Sequence, residues 1–181
     1  MAESVWYVAY GSNLSRERFG HYVDAPLDDR PTTIGHPVWF GGESVIWTGG
    51  RAYLDHEAAP GRVTLARAWL LDTAQWDHLH AQENRGGNYP VVLDLGEHQG
   101  VPMRTFTCAD RHDPAAGTRP AIEYLRAIAT GLHEAHGLDA EAAATYLVGC
   151  TAHWDEADLL AELSSVTNRS FDRRTTSSPS D

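Results

Sequence analysis

The chain reads as an α+β protein of one domain, with strands gathered early and helices late. Three observations predict this. Short β-branched and aromatic runs broken by glycine fill the first part of the chain. The last third carries apolar residues at helical spacing. Only one early strand-to-helix step and one mid-chain helix interrupt the strands, whereas a doubly wound chain would alternate throughout.

The elements follow in order. Val5 to Tyr10 is a strand without a breaker, and Gly11 ends it. Ser15 to Phe19 opens a short helix for which Ser12, Asn13 and Ser15 are all suitable caps. From Val38 to Asp55 the pattern gives short strands. Gly41-Gly42 and Gly49-Gly50 set off Val45-Ile46-Trp47 from Ala52-Tyr53-Leu54. Val63 to Leu71 is a further strand. Asp72 with Gln75 three residues on marks a helix start of the capping-box kind, running to Gln82 or Glu83. Asn84 to Asn88 is a turn. Tyr89 to Leu95 and Met103 to Cys108 form a hairpin about Gly96 to Gly100. Pro120 suits the first turn of a helix that continues to His136 and stops at Gly137. Ala140 to Val148 and Glu156 to Leu163 are two more helices. The domain is expected over 1–166, and 167–181, nearly devoid of apolar residues, reads as a disordered tail.

Composition excludes several classes of function. With 181 residues the chain can bury a core without staples. Its net charge of −11 disfavours nucleic acid and anionic membrane surfaces as partners. A small anionic substrate is still allowed, because it needs only a local site. All 14 basic residues other than histidine are arginine. The absence of lysine removes Schiff-base chemistry, a pyridoxal-phosphate site and a P-loop. No apolar run approaches the roughly 20 residues of a membrane span. Met1-Ala2-Glu3-Ser4 does not open a signal peptide, so a cytoplasmic location is expected. Cys108 and Cys150, far apart and without a CxxC pattern, read as free thiols.

Two places carry chemistry. Tyr10-Gly11-Ser12-Asn13-Leu14 joins a strand to a helix start, where backbone N–H groups converge and the helix end favours an anion. Gly11 lets a ligand come close to the backbone, and Ser12 and Asn13 add donors. The loop suits a carboxylate or a developing oxyanion. The same residues also fit an ordinary capped turn. A serine nucleophile is disfavoured, because no Gly-x-Ser-x-Gly elbow is present. The second place is Glu83. Trp76, Leu79, His80 and Glu83 share one helix face, which puts an acid on an apolar stripe near the negative end of the helix dipole. Burial and dipole both raise its pKa, as proton transfer near neutral pH requires. The alternative is a frayed helix end with a solvated Glu83. Tyr89, beyond the turn, can bring a phenol to the acid.

Together these residues resemble the γ-glutamylcyclotransferase-like superfamily. The loop Tyr10 to Leu14 is similar to its signature. Leu79-His80-Ala81-Gln82-Glu83, the glycine-bearing turn and Tyr89 resemble the segment bearing its catalytic acid. Pro120-Ala121-Ile122-Glu123-Tyr124 onward resembles its C-terminal helix. Here Gln82-Glu83-Asn84 stands where members often have an acidic residue and then Glu-Gly. The resemblance implies a single-domain, partly closed mixed β-barrel with surrounding helices. It implies a reaction in which the α-amine of a γ-glutamyl amide attacks its own γ-carbonyl, releasing 5-oxoproline and a free amine. Glu83 is then the catalytic acid/base. Tyr10, Gly11, Ser12, Asn13 and Leu14, with Tyr89 and Tyr124, are the substrate-binding residues, Tyr10 packing beneath the loop. No metal and no cofactor takes part. The expected partner is a small γ-glutamyl amide, and a homodimer is open.

Other readings stand beside this one. Of the ten histidines, His133 and His136 share a helix face but lack a third metal ligand at a motif spacing. A related amide-cleaving or acyl-transferring enzyme could use Glu83 on another acyl group. A non-catalytic binding protein could keep the fold.

Overall fold

The computed structural model describes residues 4–110, 117–151 and 153–172, with the backbone alone for 166–172. The strands are β1 (Ser4–Ala9), β2 (Asp28–Ile34), β3 (Val38–Ser44), β4 (Gly49–Leu54), β5 (Thr64–Asp72), β6 (Val91–His98) and β7 (Val101–Thr107). The helices are α1 (Arg16–Phe19), α2 (Thr73–Glu83), α3 (Ile122–His136), α4 (Ala140–Val148) and α5 (Glu156–Asp172). The α+β expectation holds.

Five strands form one mixed sheet in the order β2-β5-β1-β7-β6. β1 lies at its centre, antiparallel to β5 and parallel to β7. β3 and β4 make a separate antiparallel hairpin. Thr107 joins the two pieces: its hydroxyl accepts from the Leu54 N–H at 3.0 Å and donates to the Leu54 carbonyl at 2.7 Å. Among the described residues the ladders do not close into one barrel.

The differences from the sequence reading have physical causes. Val45-Ile46-Trp47, expected as a strand, is the turn between β3 and β4, with Val45 91% and Ile46 74% exposed. Gly49 and Gly50, expected to break a strand, begin β4. They are glycines because the backbone before α3 passes close by. A Cβ on Gly50 would stand 2.2 Å from the Thr118 carbonyl oxygen. β2 escaped notice because it is an edge strand with Pro31 and without apolar alternation. The helix expected to hold Pro120 in its first turn starts at Ile122, and the Pro120 carbonyl accepts from the Trp154 indole at 3.0 Å. Gly137 closes α3 in the left-handed region, φ 71°, which costs a glycine nothing. The last helix runs past Leu163 to Asp172, into the segment read as a disordered tail, and 173–181 lies outside the described residues.

One core lies between the β3–β4 hairpin and the helices, around Leu54, Leu125, Ile128, Leu132 and Leu147. A second lies between the sheet and α2, where Phe19 stacks on Trp69 at 4.3 Å between ring centroids and Leu79 is buried. Among the described residues no helix is long and apolar enough to cross a membrane. The loop after β1 and the end of α2 meet where these two cores adjoin.

Candidate active site

After Ala9 the chain leaves the sheet and makes one 3-10 turn, Ser12–Leu14, before Ser15 caps α1. The first hydrogen bond of that turn runs from the Leu14 N–H to the Gly11 carbonyl, 3.0 Å. The N–H groups of Gly11, Ser12 and Asn13 precede it and are the orphan donors of a helix start. The turn is held on two sides. The Trp69 indole N–H donates to the Asn13 carbonyl at 3.0 Å. On the other side α3 packs so closely that a Cβ on Gly131 would lie 2.3 Å from Leu14 Cβ.

Glu83 closes α2, as the helical face predicted. The helix begins with a complete capping box between Asp72 and Gln75. Its last residue faces the loop: Asn13 Nδ2 donates to Glu83 Oε1 at 2.7 Å and to the Tyr7 hydroxyl at 3.2 Å. Among the described residues no group donates to the other carboxylate oxygen, Oε2. Burial raises the Glu83 pKa, and the Asn13 bond and the nearby Arg18 charge pull it down by less. Glu83 still keeps part of its surface open to solvent.

The cleft beside this acid encloses about 330 Å³, its open mouth included. Tyr10, Gly11, Ser12, Asn13, Glu83, Tyr89 and Tyr124, all singled out in the sequence, line it. Tyr10 packs under the loop, its hydroxyl donating to the Phe106 carbonyl at 2.7 Å. β4 holds two phenols through one residue. Tyr89 donates to the Ala52 carbonyl at 3.1 Å, and the Ala52 N–H donates to the Tyr124 oxygen at 3.1 Å. Gly11 must be small here, because a Cβ would come within 3.0 Å of that Tyr124 oxygen. Burial pushes all four cleft phenols up, Tyr124 to about 12, so they stay neutral near pH 7.

Leu14 departs from the expectation. It is wholly buried against α3 and does not line the cleft, because the 3-10 turn directs its side chain into the core. The sequence reading missed Tyr7 and Phe106, which also line the cleft. A phenol on a strand otherwise destined for the interior was the available signal for Tyr7. Nothing in the sequence pattern singled out Phe106. The two histidines weighed as ligands are separately engaged, His133 with the Leu138 carbonyl and His136 with the Ala66 carbonyl, each at 2.9 Å.

This arrangement can accept a proton at Glu83, hold an anion at the loop and donate hydrogen bonds from neutral phenols. No protein-family model and no curated protein matches the chain. Solved structures do. A γ-glutamyl cyclotransferase is similar at 23% identity and a TM-score of 0.62, over 80% of this chain and 87% of that one. An uncharacterized protein from Homo sapiens, loc79017, is 24% identical, with a TM-score of 0.59, over 74% of this chain and 81% of its own. YkqA from Bacillus subtilis is 19% identical at a TM-score of 0.59, over 81% of this chain and 54% of YkqA. The chain therefore has the γ-glutamyl cyclotransferase-like fold.

Proposed function

We propose that the chain is a γ-glutamyl cyclotransferase acting on a small γ-glutamyl amide. The observation that carries this reading is the Glu83 carboxylate. It is raised in pKa by burial, and it is bonded by Asn13 to a loop whose first N–H groups have no helical partner among the described residues. A raised pKa makes the carboxylate a stronger base near neutral pH. The fold shared with a γ-glutamyl cyclotransferase supports it.

The chemistry balances without a co-reactant. The substrate's neutral α-amine attacks the γ-carbonyl carbon, forming the ring C–N bond and an oxyanion. Glu83 takes a proton from the attacking nitrogen and returns it to the leaving nitrogen. The original amide bond then breaks, giving 5-oxoproline and a free amine. Because the attack is intramolecular, correct folding of the glutamyl chain supplies up to about 7–11 kcal/mol of the barrier. The loop N–H groups of Gly11, Ser12 and Asn13 bind the glutamyl carboxylate or the oxyanion, and Tyr89 and Tyr124 orient the chain. Tyr10 acts from beneath the loop, by supporting it.

The test is to follow 5-oxoproline by mass spectrometry across a panel of γ-glutamyl amides, with the native protein and with Glu83→Gln. The expected result is 5-oxoproline from the native protein and a loss of about 10²–10⁴-fold in the variant. Release of linear glutamate instead would assign an amide hydrolase and overturn the cyclisation.

A further inference from the structure

Beside the acid stands a guanidinium without an acid of its own. Arg18, on α1, donates through Nη2 to the Tyr22 hydroxyl at 2.7 Å. Among the described residues no carboxylate lies within ion-pair distance of it, whereas Arg16 has one and Arg67 and Arg126 have two each. Its Nε is buried and, among the described residues, has no hydrogen-bond partner. This partly buried cation loses hydration, and the longer-range pull of Glu83 stands in for a direct ion pair.

Two rings hold it in place. The guanidinium carbon lies 5.2 Å from the centroid of Tyr22 and 5.3 Å from that of Trp47. Trp47 in turn meets Tyr124 at 5.2 Å between centroids, and Tyr124 lines the cleft. Arg18 does not itself line the cleft but lies one ring away from Tyr124, through Trp47, and its charge acts on Glu83. The turn that delivers Trp47 is strained. Thr48 has φ 57°, a left-handed conformation that β-branched residues rarely adopt. The Trp47 N–H is fixed by the Ser44 hydroxyl at 3.1 Å. Val45 and Ile46 point to solvent, while Trp47 turns inward over the arginine. A planar fork locked between aromatic faces is organised in advance for a carboxylate. In a protein of net charge −11, an anionic substrate needs such a local cation.

A γ-glutamyl amide has two ends. The glutamyl end carries the carboxylate that suits the loop N–H groups, which leaves Arg18 for the other end. We infer that Arg18, clamped by Tyr22 and Trp47, is a specificity-determining residue that binds an anionic group on the leaving amine. The inference rests on the cyclotransferase reading.

The experiment compares γ-glutamyl-alanine with γ-glutamyl-alaninamide, which differ only in the charge on the leaving amine. The readout is the ratio of their kcat/KM values, in which effects on Glu83 and on the chemical step cancel. The native protein should favour the charged substrate by about tenfold or more, chiefly through KM. Arg18→Gln should lower the ratio by about 10–100-fold, the range for a hydrogen bond to a charged group. Arg18→Lys, which keeps the charge but not the fork, should give an intermediate ratio. An unchanged ratio in Arg18→Gln, or a native protein indifferent to the charge, overturns the inference while leaving the cyclotransferase reading intact. If neither substrate nor any other γ-glutamyl amide yields 5-oxoproline, the reaction assignment itself falls and the inference with it.

Discussion

Asn13 Nδ2 lies 2.7 Å from Glu83 Oε1 and 3.2 Å from the Tyr7 hydroxyl, so one amide from the loop ties the acid of α2 to the central strand. A carboxylate offers only acceptors, so the amide nitrogen must face it. The contact is local in space but spans most of the first half of the chain. It also opposes the effect of burial on the acid, because it stabilises the ionised form.

Removing that bond should move the acid's titration. In Asn13→Ala the lowering contribution of the hydrogen bond is lost and the Arg18 charge is left to oppose burial, so the Glu83 pKa rises further. The acidic limb of kcat/KM against pH, which reports the ionised base, should shift to higher pH. At a fixed pH near neutrality, activity should fall by about 10–100-fold, the loss expected of a hydrogen bond to a charged group. A pH–rate profile of both proteins measures this, and a limb that stays in place would show that Glu83 is not the titrating base.

Glu83 also bears on stability, with a sign opposite to that of most acids. Its folded pKa is raised, so between the ordinary carboxylate range and the raised value the folded state binds more protons than the unfolded one. Stability therefore falls as pH rises through that window. Glu83→Gln removes the ionisation and keeps an oxygen for Asn13. It should melt higher than the native protein at pH 7–8, by roughly 2–4 °C for each kcal/mol recovered, and the difference should vanish at low pH. Calorimetry at several pH values checks it. The variant then loses activity and gains stability together, which separates a catalytic role from a structural one.

The legible parts of the sequence were those set by local chemistry. The capping box at Asp72, the left-handed stop at Gly137 and the helix Ala140–Val148 depend on neighbouring residues, and they stand where the pattern put them. So does Glu83, because a helix face is a periodic object. What escaped was set by distant partners. Gly49 and Gly50 look like breakers until the backbone of Thr118 to Ala121, before α3, is seen against them. Leu14 belongs to the loop in sequence but to the core in space, because α3 leaves room only for Gly131 beside it. Arg18 and Trp47 become neighbours only when the β3–β4 turn folds over α1.

Gly131 gives a direct test of that packing. In a helix interior, alanine is intrinsically favoured over glycine by about 1 kcal/mol. Here the added Cβ would lie 2.4 Å from the Leu14 carbonyl carbon and 2.5 Å from the Ser15 nitrogen, both backbone atoms that cannot rotate away. Gly131→Ala should therefore destabilise by about 1–3 kcal/mol, the range for overpacking. It should also reduce kcat, because the displaced turn carries the N–H donors and Asn13. Gly137→Ala, at an uncrowded left-handed position, should cost stability without that loss of activity. Denaturant midpoints and turnover of the two variants distinguish crowding of the loop from simple helix effects.

Arg67 anchors the same loop from the sheet side. It is fully buried, with Nη1 2.9 Å from Glu134 Oε2 and Nε 3.6 Å from Asp29 Oδ2. Its guanidinium carbon lies 4.9 Å from the Trp69 ring, whose indole holds Asn13. The same Glu134 oxygen accepts the Arg16 N–H at 2.9 Å, at the first residue of α1. One buried charge thus fixes β5, α3 and the exit of the loop together. Breaking a buried pair from one side costs about 3–5 kcal/mol, because the remaining charge loses its partner. Arg67→Met should cost nearer the lower figure, since Asp29 and Glu134 keep about a quarter of their side-chain surface in water and Asp29 retains Arg16. Glu134→Gln should cost less still, since Asp29 remains for the arginine and the new amide oxygen can accept the Arg16 N–H. If the carboxylate acts through the arginine, the double variant should be no less stable than Arg67→Met alone. Urea unfolding of the native protein and the three variants gives the coupling directly, and additive losses would mean that Glu134 serves the loop independently of Arg67.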